Sequence, residues 1–228
     1  AWEDLVRVLT HEIMNSITPV TSLAATATDV VTDVLDKVRA DQPIEDDLVD
    51  LHDAIETVAR RSNSLVEFVD SYRQITRLAP PEKKRIRLAD LFETVLRLAQ
   101  AECPRDDIEF SVEVDPSELD VYADRVLLEP VLINLLRNAW QATESIDRPV
   151  VRLRGHLNRR HNVVIEVADN GPGIPADIAT KIFVPFFTTR EKGSGVGLAL
   201  ARQVMIAHGG FIRVNANDGG GSVFSLTF

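Results

Sequence analysis

Cysteine is nearly absent: Cys103 is the only one among 228 residues. No disulfide can close within the chain and no cysteine cluster can hold a metal, which fits a reducing, cytoplasmic setting. Long apolar runs are missing too. None approaches the roughly 20 residues that a membrane-spanning helix needs, and no charged-then-apolar leader opens the chain. The sequence starts inside a helical pattern, so it reads as a piece of something longer, with any membrane or sensing part lying upstream. A basic face is lacking as well. The 25 lysines and arginines stand against 35 acidic residues, a net charge of −10, which argues against a nucleic-acid partner. The excess is uneven: residues 1–79 carry 7 basic and 15 acidic residues, net −8, and the remainder 18 and 20, net −2. Internal repeats and low-complexity tracts are absent. What is left is an ordinary globular balance, 45% hydrophobic and 26% charged, long enough for two domains.

The two halves differ in periodicity. Val6, Leu9, Ile13, Ile17, Val20, Ala24, Ala27, Val31, Val34 and Val38 recur at spacings of three and four, the seam of a coiled-coil-like helix. A break at 40–47 contains Pro43, and Leu48, Leu51, Ile55, Val58, Leu65 and Val69 then resume the rhythm. The pattern predicts an antiparallel helical hairpin. Two helices bury such stripes poorly, and two hairpins bury them well as a four-helix bundle. A homodimer through residues 2–78 is expected; a monomeric hairpin docked on the second domain is the alternative. Ala79-Pro80-Pro81 stops the second helix and a charged hinge follows, placing the hinge at 80–85. From there strands are expected at 86–88, 108–114, 150–156, 162–169, 210–215 and 222–228, and helices at 89–102, 124–145 and 195–208. Strands and helices mix without regular alternation, so 86–228 reads as an α/β sandwich and the whole chain as α+β.

His11 lies two residues from both Leu9 and Ile13, which at 100° per residue turns it about 160° off the apolar seam, toward solvent. Glu12 is adjacent, and Asn15 follows one turn later on the same face. Pro19 cannot donate to the Asn15 carbonyl and is expected to kink the helix. A neutral, exposed imidazole is a competent nucleophile, and a neighbouring carboxylate can orient it or take its proton. An indifferent surface histidine is the plainer reading of the same position.

Three segments of the second half converge on one chemistry. Asn134 and Asn138 stand one turn apart on an apolar helix, where two stacked amides need a polar partner such as magnesium bridged to phosphate; capping or surface amides are the plain alternative. A hydrophobic strand ends at Asp169, followed by Asn170-Gly171-Pro172-Gly173. A carboxylate only accepts hydrogen bonds, which suits an adenine amine, and glycine lets a flat base approach. Gly193-Ser194-Gly195-Val196-Gly197-Leu198 opens a helix, whose free N–H groups and positive dipole end favour phosphate. No strand leads directly into it and no GxxxxGK[ST] segment exists, so neither a dinucleotide fold nor a Walker loop is supported. Between these segments residues 185–192, with Thr188, Thr189, Arg190 and Lys192, read as a lid whose cations can meet phosphate.

Taken in order, His11-Glu12-Ile13-Met14-Asn15, residues 134–139, 169–173, 183–189, 193–197 and 219–224 resemble the histidine, asparagine, first glycine, phenylalanine, second glycine and closing glycine boxes of the sensor histidine kinases of two-component signalling. The Thr18-Pro19 pair and compact lid are most similar to the nitrogen-regulation branch. The resemblance implies a dimerisation and phosphotransfer domain at 1–79 and a Bergerat-type ATP-binding domain at 86–228. It implies that Asn138 ligates Mg2+ with Asn134 assisting. Asp169 would read adenine beside Gly171 and Gly173. Gly193, Gly195, Val196, Gly197 and Leu198 would hold phosphates under the lid, with Ser222 completing the set. His11 would attack the γ-phosphate of ATP, Glu12 serving as general base. The phosphoryl group would pass to an aspartate of a response regulator receiver domain, and Asn15 sits where related kinases position a water for regulator dephosphorylation.

Two positions depart from the family pattern: Ser16 replaces a common proline, and Arg190 stands where lysine is usual, keeping the charge but changing the geometry of phosphate contact. Two other readings compete: a Bergerat-fold ATPase that forms no phosphohistidine, and a degenerate, nucleotide-sensing scaffold. Whether His11 is phosphorylated in cis or across a dimer depends on the handedness of the 40–47 loop.

Overall fold

The computed structural model describes residues 18–32, 34, 37–38, 48–49, 51–59, 62, 78–190 and 195–228. The chain divides into two compact units, Ala1–Gln74 and Ile75–Phe228. In the first, residues 18–32 (α1) and 51–59 (α2) are helical. The Thr26, Thr28 and Thr32 hydroxyls donate to the carbonyls four residues earlier, at 3.1, 2.9 and 2.9 Å, a bond that lets a β-branched polar residue sit in a helix interior. The seam residues Val31, Val38, Leu48 and Ile55 are 40%, 54%, 47% and 55% exposed in the single chain. No described helix is long and apolar enough to cross a membrane.

The second unit is built from β1 (Lys84–Arg87), α3 (Leu88–Glu102), β2 (Glu109–Asp115), β3 (Asp120–Ala123), α4 (Arg125–Ala142), β4 (Val150–Leu157), β5 (Val163–Asp169), α5 (Gly197–Ala207), β6 (Phe211–Ala216) and β7 (Ser222–Thr227). Five strands form one sheet in the order β2-β4-β5-β7-β6, with β2 parallel to β4 and the other pairs antiparallel; β1 and β3 make a separate antiparallel pair. Alternation along the strands sends Val151, Leu153, Ile165, Val167, Phe224 and Leu226 to the buried face, as a half-buried sheet requires. The helices supply the other layer. Leu88, Leu91, Phe92, Val95 and Ala99 of α3 are all buried, and so are Leu128, Leu132, Leu135 and Leu136 of α4 and Met205 of α5. Each large side chain removed from water here contributes about 1.5–3 kcal/mol. At Gly155 of β4 a side chain would meet Leu88 Cδ1 at 2.7 Å, so helix and sheet touch there because glycine has no Cβ.

Local chemistry sets the helix ends. Asp124 caps α4, its Oδ1 accepting from the Val126 and Leu127 amides at 2.9 and 3.3 Å. At the other end Arg105 Nη1 donates to the Thr143 and Glu144 carbonyls at 3.1 and 2.9 Å. Helix α3 stops at Cys103, whose successor Pro104 cannot continue it.

Three expectations need correcting. The expected hinge includes Lys84 and Arg85, which lie in β1, because Arg85 and Arg87 both pair with Asp120 of β3. Strand β3 itself is an addition, four residues with no alternating run to announce it. Helix α5 begins at Gly197 rather than 195, since Gly195 has φ +66°, outside the helical region.

Candidate nucleotide site

Asp169 is the last residue of β5 and only 4% exposed. Its Oδ1 accepts from the Gly171 and Ser222 amides at 2.9 and 3.2 Å, while its backbone carbonyl accepts from Asn217 Nδ2 at 2.8 Å. Among the described residues Oδ2 takes no hydrogen bond, so one carboxylate oxygen is spent on holding the turn and the other is left for a ligand. Burial pushes the carboxyl above its usual range, opposed by those two amides and by the Arg190 charge. Two glycines make the carboxylate's position possible. A side chain at Gly171 would meet the Ala142 carbonyl at 2.6 Å, and one at Gly221 the Asp169 carbonyl at 2.0 Å. Ser222, expected to touch the ligand, is 3% exposed and reaches Asp169 through its own amide. Gly173 has φ +78° and approaches the Gly221 carbonyl.

Asn134 and Asn138 project from α4 as expected. The Nδ2 of Asn134 is buried and has no hydrogen-bond partner among the described residues, a costly state for a donor unless something accepts from it. Its amide lies against Gly197, where a Cβ would stand 2.3 Å from Oδ1. Because the two ends of an amide are assigned by their partners, an oxygen ligand and a phosphate-facing donor are both within this side chain's reach. The donor set therefore fits a magnesium–phosphate group. Opposite it, α5 starts at Gly197 after Val196, and no side chain caps it. First-turn amides of this kind are open to an anion.

The lid is tied to both walls. The Phe186 amide donates to the Gly195 carbonyl at 2.9 Å, Phe186 has φ +67°, and a side chain at Gly195 would meet the Phe186 carbonyl carbon at 2.5 Å. Arg190 crosses to α4, where its Nη1 binds Gln141 Oε1 and its Nη2 donates to the Asn138 carbonyl at 3.2 Å. Burial lowers the Arg190 pKa, against the pull of Glu144 and Asp169. Thr188 shapes this turn, its Oγ1 accepting from the Arg190 amide at 3.0 Å, while Thr189 is exposed.

Pairwise contacts thus join Asn134 to Gly197, Asp169 to Gly171 and Arg190 to Asn138, at α4, the end of β5 and the start of α5. His11, Glu12, Asn15, Lys192 and Gly193 lie outside the described residues. Sequence reasoning passed over Gln141, Glu144 and Asn217. Gln141 had a signal, being three residues past Asn138 on the Asn134 face of the helix. A cavity of about 210 Å³ opens at the β5 end, lined by Asp169 itself with Arg152, Asn170, Asn217 and Gly219 among others.

Residues 123–228 match the family model described as histidine kinase-, DNA gyrase B-, and HSP90-like ATPase. The chain is 31% identical over its full length to the nitrogen regulation protein NtrY of Azorhizobium caulinodans, and over 93% of its length to the sensory histidine kinase/phosphatase NtrB of Rhizobium leguminosarum. It spans 28% of the first relative and 58% of the second. Among solved structures, the catalytic domain of histidine kinase ThkA aligns with a TM-score of 0.58 at 33% identity, covering 64% of this chain and 95% of that one. ThkA in complex with the response regulator protein TrrA aligns with a TM-score of 0.62 at 25% identity, covering 97% of this chain and 63% of that one. With the boxes in order along the sequence and these likenesses beside them, the chain belongs to the sensor histidine kinase family.

Proposed function

We propose that the chain transfers the γ-phosphoryl group of ATP to His11 and passes it on to an aspartate of a response regulator, working as a cytoplasmic homodimer. The observation that carries this reading is the Asn134 side chain, its Nδ2 buried without a partner among the described residues and its amide pressed against Gly197 at the start of an uncapped helix. Such a donor needs an acceptor, and a polyphosphate supplies several. Asp169 would take the adenine amine on its free oxygen. The α5 amides, Gly195 and Gly197 would hold the phosphates, with Thr188, Thr189, Arg190, Lys192 and Gly193 closing over them. Bound at Asn138 with Asn134 beside it, Mg2+ would neutralise phosphate charge. Catalysis then rests on positioning and electrostatics. A ring nitrogen of His11 would attack phosphorus in line, Glu12 would take the ring proton, and ADP would leave. A water held by Asn15 would reverse the modification on the regulator.

In this reading residues 1–79 dimerise and carry His11, 80–83 join the parts, and the chain from β1 onward binds nucleotide. The exposed seam residues Val31, Val38, Leu48 and Ile55 support a second hairpin as their cover. Calorimetric titration with Mg–ATP tests the site: wild type binds and Asn138→Ala does not. Equal binding by the two would remove Asn138 from the site. Sedimentation of the intact chain tests the dimer, with a monomer at micromolar concentration as the contrary result.

A further inference from the structure

The far ends of the two site-bearing helices meet on one buried imidazole. His208 caps the C-terminus of α5, is 7% exposed and packs edge-on against Phe228 at 6.1 Å. Its Nδ1 lies 2.7 Å from the Val204 carbonyl, and the Asp124 amide donates to its Nε2 at 2.9 Å. A carbonyl oxygen only accepts and a backbone amide only donates, so Nδ1 is the donor and Nε2 the acceptor. Asp124 is the N-cap of α4. One ring thus binds the first turn of α4 to the last turn of α5. Midway along α4, Asn134 touches Gly197 at the start of α5. The entry of the chain into this unit is fastened to the same joint. Glu82 donates its amide to Asp124 Oδ2 at 2.8 Å, and Lys83 Nζ donates to the His208 carbonyl at 2.8 Å.

We propose that His208 is a positioning residue for nucleotide: through Asp124 it sets the spacing of α4 and α5, and the Glu82–Lys83 segment adjusts that spacing from the interdomain side. The proposal rests on the reading that α4 and α5 hold the Mg–ATP phosphates. Neither His208 nor Lys83 would touch the nucleotide. A segment that grips both helix caps and leads toward the phosphoacceptor half can convert a pull on the chain into a change in phosphate geometry. Coupling of this kind, carried by a hydrogen-bonded network between packed helices, is worth a few-fold to a hundredfold in affinity.

Two replacements separate positioning from packing. His208→Gln keeps an acceptor for the Asp124 amide. His208→Asn keeps the donor to Val204 and gives up the Asp124 bond. In the full chain, His208→Asn should raise the Mg–ATP dissociation constant about tenfold while leaving that of adenosine, which has no phosphates, within about twofold, and His208→Gln should stay near wild type for both. Lys83→Met, at a half-buried position unneeded for the core, should weaken Mg–ATP about threefold, so the inference stays testable even if His208→Asn does not fold. Wild-type Mg–ATP affinity in the folded Asn and Met variants overturns the proposal, as does equal loss in His208→Asn and His208→Gln. Failure of wild type itself to bind Mg–ATP would instead overturn the nucleotide reading.

Discussion

The Asn134 amide and the Cα of Gly197 are in such close contact that a single added carbon at 197 would stand 2.3 Å from Asn134 Oδ1 and 2.6 Å from Nδ2. Alanine normally improves a helix by about 0.5–1 kcal/mol over glycine. At Gly197 that gain is offset by the displaced amide, which is short but can swing toward the ligand space. Gly197→Ala is therefore expected to melt within a few degrees of wild type and to bind Mg–ATP at least about tenfold more weakly. Thermal unfolding and calorimetry on the same sample check it; unchanged affinity would contradict the assignment of this contact to the site.

Gly195→Ala should behave differently. There φ is +66° and the obstruction is the Phe186 backbone at 2.5 Å, which no side-chain rotation relieves. A loss of about 1–3 kcal/mol is expected from the strained conformation and the lid displacement. Denaturant unfolding measures it, and a variant as stable as wild type would show that the Phe186–Gly195 turn can be rebuilt.

Asp169→Asn separates stability from function. Burial raises the carboxyl pKa above its ordinary value of 3.8. A raised carboxyl pKa means the folded state binds the proton more tightly than the unfolded chain. The stability tied to that proton is present below 3.8 and lost as pH rises through the folded value. Above the folded value, burial of the charged carboxylate weakens the fold. The amide keeps an oxygen for Gly171 and Ser222, so Asp169→Asn should melt no lower than wild type at neutral pH and lose that advantage on acidification, while losing adenine-dependent binding. A lower melting temperature at neutral pH is the contrary result.

Arg190→Ala tests the lid's electrostatic reach. The guanidinium lowers the Asp169 pKa, so its removal lets that carboxyl protonate at higher pH. The acid limb of Mg–ATP binding should move upward in pH. Hydrogen exchange of the 183–190 amides should also quicken once the bonds to Gln141 and Asn138 are gone. An unmoved acid limb would separate Arg190 from Asp169.

Much of this was legible in residue order, and the exceptions have physical causes. Helices α3 and α4 lie close to the helices expected at 89–102 and 124–145, and Asp169 at a strand end followed from the hydrophobic run before it. Strand β3 was invisible because four residues that pair with one short strand need no period of their own. The charged stretch at 82–85 read as a hinge because charge suggests solvent; an edge strand exposes its side chains just as well, and Arg85 and Arg87 find Asp120 across the pair. The onset of α5 was placed early because a glycine run does not reveal which member takes positive φ. Gln141, Asn217 and the His208 joint depend on contacts between segments far apart in sequence, which spacing alone does not display.

The most direct test of the central claim is labelling of the chain with γ-labelled ATP and magnesium, wild type beside His11→Gln, followed by acid and base treatment. The account predicts label on wild type only, lost in acid and kept in base, as a phosphoramidate requires. Steady phosphate release with no label on the protein, or equal label on the His11→Gln variant, would contradict it.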